Sequence, residues 1–115
     1  MKPFVSLHNL TEMSLMVSLI KPIDLFKRAK ELGQNAVGVA ELGNLSSAWD
    51  NLKASKETGV KLIIGETLYF TDNLEDKNAR LRSVVLLAKN HQGYKNLLLA
   101  SKLGFDNFIE ARKKV

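Results

Sequence analysis

The chain has 115 residues, which is enough for one small domain and too few for two. Hydrophobic residues make up 45% and charged residues 25%, as in ordinary soluble globular proteins, and the absence of cysteine excludes disulfides and thiolate metal sites. The net charge of +5 permits contact with nucleic acid, but solvated lysines on the outer faces of helices are the better explanation for it.

The first half of the chain alternates strand and helix patterns. The short apolar run Phe4–Leu7 predicts a first strand. Pro22 suits the first position of a helix, Asp24 complements its positive end, and Gly33 is a C-terminal stop. The nearly all-apolar run Asn35–Ala40 predicts a second strand that is buried on both faces, as in a parallel sheet.

A second helix is predicted between Asn44, as its cap, and Gly59, as its end. Apolar residues at positions i, i+3, i+4 and i+7 predict the face that packs into the core. These residues are Leu45, Ala48, Trp49 and Leu52.

The remaining elements complete an α/β pattern. Val60–Ile64 predicts a third strand, interrupted at Gly65, and Leu81–Ala88 predicts a fourth after the polar loop 72–80. A helix capped by Asn90 and stopped at Gly104 comes next, followed by a last helix that Asp106 could cap. The resulting order βαβαββαα predicts a mostly parallel sheet with flanking helices.

Candidate metal ligands follow the predicted strands, where sites form in parallel α/β folds. His8 and Glu12 follow the first strand, Glu41 follows the second, and Glu66 follows Gly65 in the third. A divalent cation could use such a set. The ordinary alternative is a hydrogen-bonded or solvated histidine, a Glu12 that serves a local turn with Asn9 or Thr11, and exposed or ion-paired glutamates.

Other catalytic signatures are absent from the sequence. It contains neither a glycine-rich phosphate loop nor a nucleophile elbow. His91 begins a predicted helix and is expected to be a surface residue. No apolar run is long enough to cross a bilayer, and residues 1–3 lead directly into a strand without the pattern of a secretion signal. Together with the lack of cysteine, these features favour the cytoplasm.

Four stretches, in matching order and spacing, resemble the N-terminal part of the PHP (polymerase and histidinol phosphatase) domain of bacterial DNA polymerase III alpha subunits. They read FVSLHNLTEMSL, IDLFKRAKELGQNAVGVAELGNLSSAW, GVKLIIGETLYF and VVLLAKNHQGYKNLLLASKLGF. The resemblance implies that residues 1–115 form a single PHP-like domain. Because the family's barrel has more strands than this chain provides, it also implies an incomplete (β/α) barrel with exposed sheet edges.

The resemblance further implies a degenerate metal site. The family's ligand positions fall on one histidine and four residues that are poor ligands or none: His8, and Leu10, Val17, Leu42 and Thr67. Glu41 preserves the carboxylate before Leu42. Glu66 lies beside Thr67, but adjacent strand residues point to opposite faces, so it cannot simply replace the family's glutamate. We therefore expect no metal, no cofactor and only vestigial candidates in His8, Glu12, Glu41 and Glu66, with the apolar replacements buried in a dry barrel mouth.

The implied role is structural. The chain would support the rest of a replicative polymerase alpha subunit, or dock a proofreading subunit, and self-association through sheet edges is a further possibility. The family's polymerase carboxylates lie outside this region, so whether the segment has any enzymatic activity stays open. The alternative is a metal-dependent phosphoesterase or 3′–5′ exonuclease that holds Zn²⁺ or Mn²⁺ in a rearranged site. Direct DNA binding through the basic helices is a third interpretation.

Overall fold

A computed structural model describes residues 4–73, 75–76 and 78–113 of the chain, with side chains described as far as residue 106. The elements follow the order βαβαββα. They are β1 (Ser6–Asn9), α1 (Pro22–Glu31), β2 (Ala36–Leu42), α2 (Ala48–Thr58), β3 (Lys61–Phe70), β4 (Arg82–Leu87) and α3 (His91–Lys113).

The four strands form one sheet in the order β1-β2-β3-β4. The pairs β1–β2 and β2–β3 are parallel, and β4 runs antiparallel to β3. This confirms the predicted α/β class, with a mostly parallel sheet that forms part of a barrel. β3 continues through Gly65, where an interruption was expected, because Gly65 pairs with both Ala40 and Leu87.

The core lies between one face of the sheet and the helices α1 and α2. Its members share low exposure and small or branched apolar side chains, with one aromatic ring at the centre. They are Phe26, Ala29, Val37, Val39, Ala54 and Val60. We call this side of the sheet the helix face, and the opposite side the inner face.

Several predicted helix ends are confirmed. Pro22 begins α1, and α2 ends at Gly59, whose φ of 77° is in the left-handed region that favours glycine. Gly33 has a φ of 75° just after α1. At the start of α3, the Asn90 side-chain oxygen accepts a hydrogen bond from the Gly93 N–H at 2.9 Å, so Asn90 caps this helix.

The predicted core face of α2 is wrong. Trp49 is 67% exposed, and the buried side chains are Asn51, Ala54 and Thr58. Asn51 and Thr58 are polar, so a search for apolar residues at helical spacing does not find them. Each is buried because it donates a hydrogen bond inside the protein. Asn44 does not cap the helix either, because its side-chain oxygen accepts from the Ser46 N–H, and α2 begins only at Ala48.

The predicted break at Gly104 is also wrong, since α3 is a single helix and the order ends in one α rather than two. A glycine inside a helix costs only about 1 kcal/mol relative to alanine. A side-chain ion pair between Lys102 and Asp106, four residues apart, spans the position. The helix also packs on β3, where the Cβ of an alanine at 104 would lie 3.9 Å from Leu68.

The incomplete sheet leaves apolar side chains exposed, as the partial barrel implied. Every residue of β4 is exposed, and exposed leucines lie along α3. None of the helices in the described part of the chain is both long and apolar enough to cross a membrane.

Candidate functional site at the strand ends

His8 and Thr67 meet on the inner face. The His8 Nε2 lies 3.3 Å from the Thr67 hydroxyl oxygen, which donates to the Ala40 carbonyl at 2.9 Å. Thr67 is buried and His8 is exposed. Leu42 is the register partner of Thr67 on β2, so its side chain is on the same face. The inner face at the strand ends thus presents an imidazole, a hydroxyl and an isobutyl group.

Glu41 points the other way and is buried among hydroxyl groups. Its carboxylate accepts hydrogen bonds from the Thr11 backbone N–H at 2.9 Å and from the Ser47 hydroxyl at 3.0 Å. The hydroxyl groups of Thr11 and Ser14 donate to it as well. With 1% exposure, Glu41 is neither the exposed residue nor the ion-pair partner that the sequence suggested.

These contacts tie three segments together at one end of the sheet. The loop after β1, the end of β2 and the start of α2 all contribute to the group formed by Glu41, Thr11, Ser14 and Ser47, which we call the Glu41 network. The Ser14 hydroxyl also accepts from the Leu42 N–H at 3.0 Å. Sequence reasoning missed Thr11 and Ser47 as site residues, and the clustering of small hydroxyl residues in both loops was the available signal.

Glu66 is buried on the helix face without such support. It is 0% exposed, and neither carboxylate oxygen has a hydrogen-bond partner among the described residues. Burial raises the pKa of Glu66, and the Ser101 hydroxyl on α3 lowers it by a smaller amount, although this hydroxyl makes no hydrogen bond of ordinary geometry to the carboxylate. Glu66 pairs in register with Glu41, so the two side chains share the helix face, and the expectation of an exposed or ion-paired residue is wrong here too.

The remaining candidates stand apart. The Glu12 N–H donates to the Ile20 carbonyl at 2.9 Å, while Thr11, one of its expected turn partners, bonds to Glu41. Asn9, the other expected partner, donates to the carbonyls of Ser6 and Gly38. His91 is exposed at the start of α3, as predicted.

The donors present do not form a metal centre of the kind that the rearranged-site alternative requires. In the described ranges, no three His, Asp or Glu side chains come together in a way that could hold a metal ion. His8 lies on the inner face, whereas Glu41 and Glu66 lie on the helix face. The expected dry barrel mouth is correct only in part, because Leu10 and Leu42 are half-buried but Val17 is 56% exposed.

The molecule is therefore a partial β/α barrel that carries polar residues at the carboxyl ends of its strands. Residues 6–115 match the PHP domain family, and the chain belongs to this family. A crystal structure described as a metal-dependent phosphoesterase from Bifidobacterium adolescentis shares the fold, with a TM-score of 0.52 and 24% identity. The likeness covers 72% of this chain and 25% of that one.

Within the family, the chain is a PHP-domain segment that matches DNA polymerase III alpha subunits. It is 39% identical over 117 residues to the subunit of Aquifex aeolicus, covering 90% of this chain. It is 40% identical over 121 residues to that of Helicobacter pylori, covering 99%. In both cases the chain spans about 10% of the relative's length.

Proposed function

We propose that this chain serves bacterial DNA replication as the PHP portion of a cytoplasmic DNA polymerase III alpha subunit, and that its role there is structural and partner-docking rather than metal-dependent catalysis. One observation carries the proposal. At the place where the family binds metal, His8 contacts the hydroxyl of Thr67, and Thr67 is paired in register with the apolar Leu42.

The chemistry of these groups argues against metal binding. Zn²⁺ and Mn²⁺ require several nitrogen, oxygen or sulfur ligands that converge on one point. Leu42 offers no lone pair, and the Thr67 hydroxyl already bonds to the Ala40 carbonyl. Moving Glu41 toward His8 would leave the buried hydroxyls of the Glu41 network without their acceptor. Each hydrogen bond lost in this way costs about 1–3 kcal/mol.

A docking role is supported by the loop between β1 and α1. Three of its residues are almost fully exposed although they are apolar: Leu15, Met16 and Leu19 are 80%, 103% and 92% exposed. Met16 also has a φ of 64°, which is uncommon for a residue with a side chain. An exposed apolar loop beside the strand ends is suited to contact with the rest of the polymerase or with a proofreading subunit.

The test is a titration of the metal-stripped chain with Mn²⁺ and Zn²⁺, beside a His8→Ala variant. We expect no stoichiometric metal in elemental analysis and no rise in the melting temperature that depends on His8. Stoichiometric binding that His8→Ala abolishes would contradict the proposal and favour the phosphoesterase or exonuclease alternative.

A gain-of-binding variant makes the negative result informative. Leu10→His, Leu42→His and Thr67→Glu together place ligands at the positions where the family has them. This triple variant should bind Mn²⁺ or Zn²⁺ far more tightly than the natural chain. The matched control carries Asn, Asn and Gln at the same three positions, which changes polarity similarly but supplies weak ligands.

A further inference from the structure

The loop between β1 and α1, residues 11–20, contributes no side chain to the apolar core. The core side chains belong to α1, β2 and α2 and to Val60 beside β3. The buried side chains of the loop are Thr11 and Ser14, at 0% and 2% exposure, and both are polar. Burial of apolar surface therefore contributes little to holding this segment, which we call the 11–20 loop, against the sheet.

Hydrogen bonds at the end of β2 attach the 11–20 loop instead. Glu41 accepts from the Thr11 N–H at 2.9 Å and from the hydroxyls of Thr11 and Ser14. The Ser14 hydroxyl accepts from the Leu42 N–H at 3.0 Å, and the Asn44 side chain donates to a backbone carbonyl of the loop at 3.2 Å. In the described part of the chain, no other hydrogen bond joins the loop to a residue outside 10–20. The attachment is therefore polar, and most of it ends on Glu41.

The other hydrogen bonds of the loop are internal and give it a shape of its own. The Glu12 N–H donates to the Ile20 carbonyl at 2.9 Å and so joins the two ends of the loop. The Ser14 N–H donates to the Thr11 carbonyl at 2.9 Å, and the Val17 N–H donates to the Ser14 carbonyl at 3.1 Å. A segment with its own hydrogen bonds and few buried apolar contacts can separate from the rest of the fold as one unit.

We propose that the 11–20 loop is a conformational device with a closed and an open position, and that Glu41 is the positioning residue that holds it closed. Opening separates Thr11 and Ser14 from Glu41 together, because their hydroxyls donate to the two oxygens of the same carboxylate. The core stays folded, since none of its side chains comes from the loop. All of these contacts lie between the loop and the sheet, so the device does not depend on what covers the outer side of the loop.

Two serines of the Glu41 network distinguish loop closure from a general stabilising role. Ser14 and Ser47 are both 2% exposed, and the hydroxyl of each donates to Glu41. Each hydroxyl also accepts one hydrogen bond, Ser14 from the Leu42 N–H at 3.0 Å and Ser47 from the Asn51 side chain at 2.8 Å. The two serines differ in the element that they attach, because Ser14 belongs to the loop and Ser47 directly precedes α2.

The first experiment follows backbone amide hydrogen exchange by NMR in the natural chain, Ser14→Ala and Ser47→Ala. The hydrogen-bonded amides of the loop, such as that of Glu12, should be protected in the natural chain. In Ser14→Ala their exchange should be at least about tenfold faster, as the loss of a buried hydrogen bond to a carboxylate predicts, while the amides of α1 and α2 change much less. Ser47→Ala should leave the loop nearly as protected as in the natural chain.

The Gly43 N–H is an internal control for this measurement, because it lies beside the Glu41 network but outside the loop and donates to the Thr67 carbonyl at 2.8 Å. Its exchange should stay slow in Ser14→Ala. Equal acceleration of the loop amides in both serine variants overturns the proposal, as does acceleration that spreads equally through the helices. Loop amides that are unprotected in the natural chain overturn it as well.

The second experiment tests Glu41 directly with a substitution that preserves its volume. In Glu41→Gln one carboxylate oxygen becomes an NH₂ group, which cannot accept a hydrogen bond. Because the loop donates to both oxygens, either orientation of the amide leaves one loop hydroxyl without an acceptor. Exchange of the loop amides should again rise by about tenfold or more, with the helix amides little changed. Unchanged loop protection in Glu41→Gln contradicts the role of Glu41.

Discussion

The two halves of the sheet differ in the hydrogen bonds that surround a buried carboxylate. At the end of β2, Glu41 accepts hydrogen bonds from three residues and joins two loops to the sheet. One strand further, Glu66 is equally buried but has no hydrogen-bond partner in the described part of the chain. The same residue type, in register on neighbouring strands, is therefore a structural centre in one half and an unpaired buried group in the other.

The comparison teaches that burial alone does not define a role for an acidic residue. What decides it is the set of donors that the neighbouring loops supply. The loop after β1 and the start of α2 supply hydroxyl groups to Glu41. Glu66 lies instead beneath α3, which brings one serine, Ser101, to its neighbourhood.

The largest effect is expected from Glu41→Ala. The substitution leaves the hydroxyls of Thr11, Ser14 and Ser47 without their acceptor and opens a cavity. We expect the free energy of unfolding to fall by about 3 kcal/mol or more, measured by urea denaturation. Glu41→Gln, which preserves volume, should cost less. A loss below about 0.5 kcal/mol for Glu41→Ala would show that the network does not stabilise the fold.

A smaller effect of opposite sign is expected from Glu66→Gln. Because burial raises the pKa of Glu66 above its ordinary value of 4.5, the folded state holds this proton more tightly than the unfolded state. The contribution of Glu66 to stability is therefore greatest at low pH and declines as the pH rises from 4.5 through the folded-state pKa. The uncharged Gln removes that decline.

The measurement is the difference in unfolding free energy between Glu66→Gln and the natural chain at several pH values. The variant should be more stable by about 1–2 kcal/mol at neutral pH, and the advantage should shrink toward pH 4. A difference that does not change with pH would mean that Glu66 titrates normally.

The smallest effects are expected from two serines, one beside each of the two buried glutamates. Ser14→Ala removes a hydroxyl that donates to Glu41 and accepts from the Leu42 N–H, so it should cost about 1–2 kcal/mol. Ser101→Ala should change stability by less than about 0.5 kcal/mol, because this hydroxyl only partly compensates Glu66. Thermal or urea unfolding of the two variants measures both; equal losses would contradict the contrast between the halves.

Local signals predicted the elements well where backbone chemistry decides. The helix start at Pro22, the cap at Asn90 and the glycine stop at Gly59 are confirmed, because proline, asparagine and glycine act through their own backbone or nearest neighbours. The hydrophobic pattern failed on α2. There Asn51 and Thr58 are buried through hydrogen bonds, and Trp49 is left exposed.

For the candidate site, the sequence predicted which chain positions lie near the strand ends but not the contacts that their side chains make. The pleat of a strand was enough to separate Glu66 from Thr67, since adjacent side chains point to opposite faces. The role of Glu41 could not be predicted from the sequence. Its donors Thr11 and Ser47 are 30 and 6 residues away in the chain and contact it only after the loops fold.

The amino-acid sequence by itself determined the α/β class and the order of the strands along the chain, since these depend on residue type and local periodicity. The tertiary structure decided which buried carboxylate is satisfied and which face of α2 packs. Those outcomes depend on contacts between distant segments, whose hydrogen-bond partners no local pattern specifies.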